Sequence, residues 1–186
     1  AAATVILVGP DLKEELPVLH LRLRDAATAG NTKLIEFSPQ TTGLTRHAWR
    51  SVLHAPGVAA TEITKTLAEP DVAAQLASGD VVVIAGRSNL AVSESTALAA
   101  VRAVLDAVPD AKVLPALRRG NVVGALQLGL APATRDDAAL ATLNAAAEGK
   151  LDLLVLLGAY PINDCPEADL ARRAMAGARR VISIDA

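Results

Sequence analysis

The segment VILVGPDLKEELPVLHLRLR, residues 5–24, joins a short apolar run to a helix-like pattern through a glycine. The apolar run at residues 4–9 predicts a buried strand that ends at Gly9, where the backbone can turn sharply. Residues 14–30 predict a helix, since Pro17 is tolerated in a first turn, where the N–H that it lacks would have no partner. A strand, a glycine turn and a helix form the repeating unit of α/β proteins, so this segment predicts that fold class.

The same alternation continues along the chain. Further strands are predicted at residues 33–37, 80–86, 111–117, 153–157 and 180–186. Helices are predicted at residues 62–79 with a break at Pro70, at 93–108 and 134–149, with short helices around 44–53 and within 118–132. Near-continuous apolar strands separated by helices indicate a parallel sheet that is covered on both faces. We therefore expect a doubly wound, mostly parallel Rossmann-like sheet with helices on both faces.

The chain also contains a second segment that is similar to residues 5–24. LVLLGAYPINDCPEADLARR, residues 154–173, follows the same plan as residues 5–24. In the first copy Gly9 precedes Pro17 by eight residues, and in the second Gly158 precedes Pro166 by eight. The matched spacing favours a true repeat over the general likeness of any two βα units. With 186 residues, 52% of them hydrophobic, we predict one domain over residues 1–186, with a half-domain boundary considered near residue 79.

Composition excludes several function classes. The net charge is −2 and there is no basic stripe, so we expect no nucleic-acid partner. The longest apolar runs are too short to cross a bilayer, so we expect no direct membrane insertion. No signal-peptide pattern opens the sequence. A single cysteine excludes an internal disulfide and a cysteine-only metal site, and it fits a cytosolic protein.

A ligand site in an open parallel sheet lies at the carboxyl ends of the strands. Here those ends lead into the segments at residues 9–15, 86–95, 115–121 and 158–164. Three arginines in these segments could contact an anion: Arg87, Arg118 and Arg119. None of the segments has the glycine pattern of a dinucleotide fingerprint or a P-loop, so neither of those sites is favoured. Arg118 and Arg119 fit a solvated surface or an intersubunit salt bridge equally well.

The sequence offers no catalytic constellation. His20 lies in a predicted helix among apolar residues, which favours a packed or surface histidine over a catalytic base. His47 and His54 are seven residues apart, and no Cys, Asp or Glu joins them at ligand spacing, so we expect no metal site there. Cys165 begins a helix, where a thiol pKa can be lowered, but capping or packing is the favoured role. We predict no catalytic residue and no metal ligand.

Three segments together resemble a known family. The first, residues 5–26, is similar to the segment of molybdopterin oxidoreductases that has Gly-x-Asn-Pro-x-Glu before a proline and an arginine-rich helix. RRGNVVGALQLGLAP, residues 118–132, resembles the family's Asn-x-x-Gly-Ala stretch through Asn121, Gly124 and Ala125. Residues 154–175 resemble its Gly-Ala-Asn-Pro element. Within the family, the sequence of these segments is most similar to the large iron–sulfur subunit of bacterial NADH–quinone oxidoreductase, respiratory complex I. The resemblance is weakest over residues 40–79.

Two departures from the family pattern concern the cofactor. Asp11 stands where the family favours Asn, and Tyr160 stands where the last element favours Asn. In cofactor-bearing relatives these loops contact the pterin nucleotide, and an aspartate would bring negative charge toward a pyrophosphate. The resemblance therefore implies degenerate loop positions rather than a working cofactor site: Gly9, Asp11, Gly86, Asn121, Gly124, Gly158 and Tyr160.

The resemblance also implies a setting for the chain. The subfamily is understood to have lost the molybdenum cofactor and to keep this domain as a scaffold behind a region with iron–sulfur clusters. We expect no cofactor in this fragment, with the iron–sulfur clusters elsewhere in a longer subunit. Other subunits of the complex I peripheral arm are the expected partners, on the cytoplasmic side of the bacterial inner membrane. The alternatives are a pterin-cofactor-binding module of a molybdopterin oxidoreductase and a nucleotide-binding α/β domain.

Overall fold

The computed structural model describes residues 2–87, 92–117, 121–130 and 139–185. The chain divides into two compact units, Ala1–Gly120 and Asn121–Ala186. Residue 79 lies within the first unit, between a helix and a strand of its sheet.

The first unit contains an all-parallel sheet. Its strands are β1 (Thr4–Val8), β2 (Lys33–Ser38), β3 (Arg50–Leu53), β4 (Val81–Ala85) and β5 (Lys112–Pro115). Their order across the sheet is β3-β2-β1-β4-β5, and Val5 of β1 pairs with Leu34 of β2 and Val82 of β4. The order reverses direction between β1 and β4, as in doubly wound folds. The predicted fold class is confirmed.

The α-helices among the described residues of this unit connect and cover the strands: α1 (Leu12–Glu15), α2 (Pro17–Thr28), α3 (Ala59–Leu67), α4 (Pro70–Leu76) and α5 (Glu94–Ala107). Prolines open α2 and α4, which is where the missing N–H costs nothing. Ser93 caps α5, its hydroxyl accepting a hydrogen bond from the N–H of Thr96 at 3.2 Å. The predicted break at Pro70 is confirmed.

Alternate residues of β1 enter two different cores, as the two-residue period of a strand requires. Ile6 and Val8 belong to a cluster with Phe37 and with side chains of α3, α4 and α5. Val5 and Leu7 belong to the cluster on the opposite face, which includes Leu12 and Leu44 and partly buried residues of α2. Both faces of the sheet are therefore covered, which is the structural reason why its strands are almost entirely apolar.

Two local predictions were wrong in detail. Residues 44–53 were expected to form short helices, but only Thr45–His47 forms a 3-10 turn, and Arg50–Leu53 is the edge strand β3. A four-residue edge strand with one half-buried face is too short to give a clear alternation. The predicted helix at 14–30 is divided at Leu16, because the residue before a proline disfavours the helical conformation.

The second unit contains α6 (Val122–Gln127), α7 (Ala139–Ala147), β6 (Leu154–Leu157), α8 (Pro161–Asp164), α9 (Ala168–Gly177) and β7 (Val181–Ile184). β6 and β7 pair in parallel as a two-stranded sheet. α7 and α9 pack closely, and a Cβ added at Gly177 would collide with the carbonyl oxygen of Ala146. Glycine is therefore needed at that crossing. The first part of the predicted helix at 134–149, residues 134–138, lies outside the described residues.

The similarity between the two copies, residues 5–24 and 154–173, extends to their structure. In each copy a strand ends at a glycine with positive φ, 97° at Gly9 and 54° at Gly158. A four-residue helix then begins three residues after the glycine, α1 in one copy and α8 in the other. A longer helix follows, α2 or α9. The spacing seen in the sequence therefore corresponds to a repeated strand–turn–short helix–helix plan.

Candidate functional site

The carboxyl ends of β1 and β4 bring two of the predicted loops together. The N–H of Gly86 donates to the carbonyl oxygen of Val8 at 3.1 Å, and the N–H of Gly9 donates to that of Phe37 at 3.0 Å. The two glycines therefore lie side by side where the strand order reverses. This is the position at which open α/β sheets bind ligands.

The crevice at this position is narrow. The cavity between the loops after β1, β2, β3 and β4 and the start of α5 encloses about 30 Å³. Sites for small molecules and cofactors typically enclose about 300–1,000 Å³. Gly86 itself leaves little room for a side chain, because an added Cβ would lie 3.1 Å from the Pro10 Cγ atom and 3.1 Å from the Ala116 Cβ atom. The cavity that these described residues enclose has the volume of one or two water molecules.

Asp11 has a structural task in the loop after β1. It is the N-cap of α1, and its Oδ1 accepts hydrogen bonds from the N–H of Lys13 at 3.0 Å and of Gly43 at 3.4 Å. The carboxylate thus satisfies a helix N–H and joins α1 to the segment at residues 41–46. This gives a physical reason for an aspartate at the position where the resembled family favours asparagine.

The other degenerate positions lie in the second unit. Gly158 ends β6, and the N–H of Tyr160 donates to the carboxylate of Asp164 at 3.2 Å, at the start of α8. The Tyr160 side chain is 58% exposed, so most of the ring is in solvent rather than in a crevice. Asn121 has a left-handed backbone, with φ of 57°, and its amide lies directly over Gly124 of α6.

Of the three arginines proposed as anion contacts, the structure describes one. Arg87 follows β4 and is half-buried, next to Gly86. Arg118 and Arg119 lie outside the described residues, so the prediction of an anion contact by this pair stays a prediction.

The remaining candidates are dispersed. His47 lies in the 3-10 turn and His54 follows β3, so the two histidines do not share a helical face. Cys165 is half-buried beside the apolar cluster of α7, β6 and α9. No group of three or more His, Cys, Asp or Glu side chains within the described ranges could hold a metal ion.

A buried carboxylate that the sequence reasoning missed lies on β2. Glu36 is fully buried, and its two oxygens accept hydrogen bonds from the hydroxyls of Thr42, of Thr45 at 2.7 Å and of Ser51 at 3.0 Å. Three hydroxyl donors satisfy a charge that would otherwise be costly to bury. A glutamate inside the apolar strand KLIEF, followed closely by TTGLT, was the signal that could have revealed it.

A second missed feature is an open pocket in the first unit. It lies between α1, α2 and residues 41–46, has a volume of about 800 Å³, and includes Lys13, His20, Arg24 and Arg46 in its wall. On α2 the wall residues include Pro17, His20 and Arg24, which recur every three to four positions along one face. That spacing was visible in the sequence, but the contribution of residues 41–46 was not.

Comparison with known proteins adds no relative. Neither a comparison with protein-family models nor one with curated protein sequences finds a match to this chain. None of the helices in the described ranges combines the length and the hydrophobicity needed to cross a bilayer.

Proposed function

We propose that the chain is a non-catalytic structural domain of a peripheral-arm subunit of respiratory NADH–quinone oxidoreductase, in which the cofactor crevice is degenerate. The three segments that resemble the large iron–sulfur subunit motivate this assignment. The observation that carries it is the narrow crevice between the ends of β1 and β4, with a cavity of about 30 Å³. A domain with the doubly wound plan but no room at its switch point fits a scaffold better than a cofactor enzyme.

The side chains around the crevice support the same proposal. Pro10 and Ala116 pack closely against Gly86, where an added Cβ would lie 3.1 Å from each, so packing within the fold accounts for this glycine. The Asp11 carboxylate accepts backbone hydrogen bonds at the start of α1, where it would also repel a pyrophosphate. Of the two residues that depart from the family pattern, Asp11 therefore has a role in the fold.

Exposed apolar side chains support a role in an assembly. β6 and β7 expose Val155, Leu157, Ile182 and Ile184. Contiguous apolar surface of this kind is typical of protein–protein contacts. In this proposal the contacts are with other subunits of the peripheral arm, on the cytoplasmic side of the bacterial inner membrane, and the iron–sulfur clusters belong to another part of the subunit.

The experiment that tests the proposal is made in the intact enzyme. It compares variants of the two residues that depart from the family pattern with a variant in the hydrophobic core. Asp11→Asn and Tyr160→Asn restore the residues that the family favours, and asparagine still caps a helix. We expect both to leave NADH–quinone activity and the iron–sulfur spectra of isolated membranes unchanged. Leu7→Asp places a charge in the core and should reduce the amount of assembled enzyme. Unchanged assembly with Leu7→Asp would contradict the scaffold role.

Metal analysis of the purified chain separates the proposal from its first alternative. We expect substoichiometric molybdenum and iron by mass spectrometry, since a cavity of about 30 Å³ is small for a pterin nucleotide. Stoichiometric molybdenum would overturn the proposal in favour of a pterin-binding module. Thermal-shift measurements with NADH and NADPH test the nucleotide-binding alternative, and a saturable rise in the melting temperature of the chain would favour it.

A further inference from the structure

The open pocket beside α2 has a wall of unusual charge. Lys13 of α1, Arg24 of α2 and Arg46 of the following turn all line its volume of about 800 Å³. The chain as a whole has a net charge of −2, so this local excess of positive charge runs against the overall balance. Among the ion pairs of the described residues, none includes Lys13 or Arg46, and Arg24 pairs only with its neighbour Asp25 at 2.9 Å.

His20 adds a buried, unpartnered polar group to the same wall. The residue is only 7% exposed, and its Nδ1 atom has no hydrogen-bond partner. A buried polar group without a hydrogen bond destabilises the fold, so the Nδ1 atom marks a place where a partner is missing among the described residues. Burial lowers the pKa of His20, and Arg24, Lys13 and His47 lower it further, while Asp11 acts in the opposite direction.

The pocket is built rather than incidental. A Cβ at Gly43 would lie 2.8 Å from the His20 Cε1 atom and 2.9 Å from the Lys13 Cβ atom, so only glycine allows residues 41–46 to approach α1 and α2 so closely. Behind this segment, Thr42 and Thr45 donate to the buried Glu36 carboxylate, which fixes the wall in position. The two threonine hydroxyls are thereby committed. Arg24 donates to Asp25, and Arg46 donates through its Nε atom to the His47 Nε2 atom at 3.1 Å, which leaves the Lys13 ammonium and the terminal nitrogens of Arg46 to contact a ligand.

We propose that this pocket binds a multiply charged phosphate anion, with Lys13, Arg24 and Arg46 as its charge-bearing contacts and His20 at its base. Lysine and arginine are the side chains that bind phosphates most strongly, through charge-assisted hydrogen bonds. The site is separate from the crevice at the ends of β1 and β4, and binding here does not depend on the loss of a cofactor there.

Calorimetric titration of the whole chain with inorganic pyrophosphate, at constant ionic strength, tests this proposal. We expect saturable binding to one site. Lys13→Ala and Arg46→Ala should each weaken it about tenfold, the effect of one charge-assisted hydrogen bond. Arg22→Ala is the matched control, because Arg22 lies on the same helix as Arg24 and the change in net charge is the same, but it does not line the pocket. It should change the affinity by less than about twofold.

The pH dependence of sulfate binding gives a second test, since the charge of sulfate is constant near neutral pH. A bound anion favours protonated His20, so sulfate affinity should rise as the pH falls below 6.5, the usual pKa of histidine. His20→Gln should remove most of this rise, whereas His47→Gln should retain it. An equal loss of the rise in both variants would contradict a role for His20.

Two results would overturn the proposal outright. One is the absence of saturable pyrophosphate binding at millimolar concentration, and the other is an equal loss of affinity in Arg22→Ala and Arg46→Ala, which would indicate general charge attraction. A parallel titration with ADP identifies the source of the phosphate. Tighter binding of ADP than of pyrophosphate would support a nucleotide ligand, and equal binding would support a ligand recognised by phosphate alone.

Discussion

The segments that follow β1 and β6 have the same plan but different surroundings. Both turn at a glycine with positive φ and enter a four-residue helix three residues later. β1 has parallel partners on both sides and all five of its residues are buried. Within the described part of the chain, β6 pairs only with β7, and only Leu154 of its four residues is buried.

This difference separates what local sequence determines from what neighbours determine. The glycine, the short helix and the following proline specify the turn in both copies, because each acts through backbone conformation within a few residues. Burial depends on the strands and helices that pack on either side, which the local pattern does not contain. The two copies therefore form a natural control for each other.

The largest difference between the copies should come from truncating a leucine in each strand. Leu7 of β1 is 1% exposed and Leu157 of β6 is 75% exposed. Leu7→Ala should lower the free energy of unfolding by about 2–5 kcal/mol, because it leaves a cavity in a core that packs on both sides. Leu157→Ala should change it by less than about 0.5 kcal/mol.

Urea titration measures the free energy of unfolding of the first unit in both variants, through the fluorescence of Trp49, the only tryptophan, which lies in that unit. Hydrogen exchange of peptides that contain β6 reports on the second unit. Equal losses in the two variants would mean that Leu157 is as well packed as Leu7, and the contrast between the copies would not hold.

The two turn glycines should differ next. Gly9 has φ of 97°, outside the left-handed helical region, and Gly158 has φ of 54°, inside it. Gly9→Ala should therefore cost about 2 kcal/mol or more, and Gly158→Ala about 1 kcal/mol. Gly158→Asn should cost less than Gly158→Ala, since asparagine tolerates that region. A comparison of unfolding midpoints tests the order, and a larger loss for Gly158→Ala would contradict it.

The residues two positions after each glycine should show a smaller contrast. Asp11 accepts hydrogen bonds from two backbone N–H groups, whereas the Tyr160 side chain makes no capping hydrogen bond. We expect Asp11→Ala to cost about 1 kcal/mol and Asp11→Asn to retain most of the stability. Tyr160→Ala should cost less than about 0.5 kcal/mol. Equal losses for the two alanine variants in urea titrations would remove the capping role of Asp11.

The sequence predicted the fold class because it depends on patterns that repeat along the chain. Apolar runs alternating with helices predicted a parallel sheet, and Pro70 predicted the break between α3 and α4. β3 was missed because Arg50–Leu53 is an edge strand of four residues, stabilised by pairing with β2 that no local pattern reveals. Tertiary pairing decided its conformation.

The candidate site was predictable only in part, for a similar reason. The carboxyl-end rule correctly brought Gly9 and Gly86 together, because it follows from parallel topology alone. The width of the crevice depends on how the loops after β1, β3 and β4 pack against the start of α5, which is a tertiary property. The open pocket beside α2 contains both Lys13, which precedes β2 in the sequence, and Arg46, which follows β2. Only the close approach at Gly43 brings these two residues together.

The smallest expected contrast is in how the stability of the two units depends on pH. All three histidines of the sequence lie in the first unit, and the second has none. Burial lowers the pKa of His20 below its usual 6.5, with Asp11 opposing and Arg24, Lys13 and His47 reinforcing the shift. Between the folded and unfolded pKa values the unfolded chain binds more protons, so stability rises with pH across that window. The His20 contribution is complete above pH 6.5 and is lost as the pH falls through the folded pKa.

Urea titrations of the first unit between pH 5 and 7.5 test this expectation. The free energy of unfolding should change more steeply with pH in the wild type than in His20→Gln. The hydrogen-exchange protection of β6, corrected for the intrinsic exchange rate, should stay constant over the same range. Identical slopes would mean that His20 titrates equally in both states, and that burial in the pocket wall does not disfavour its protonated form.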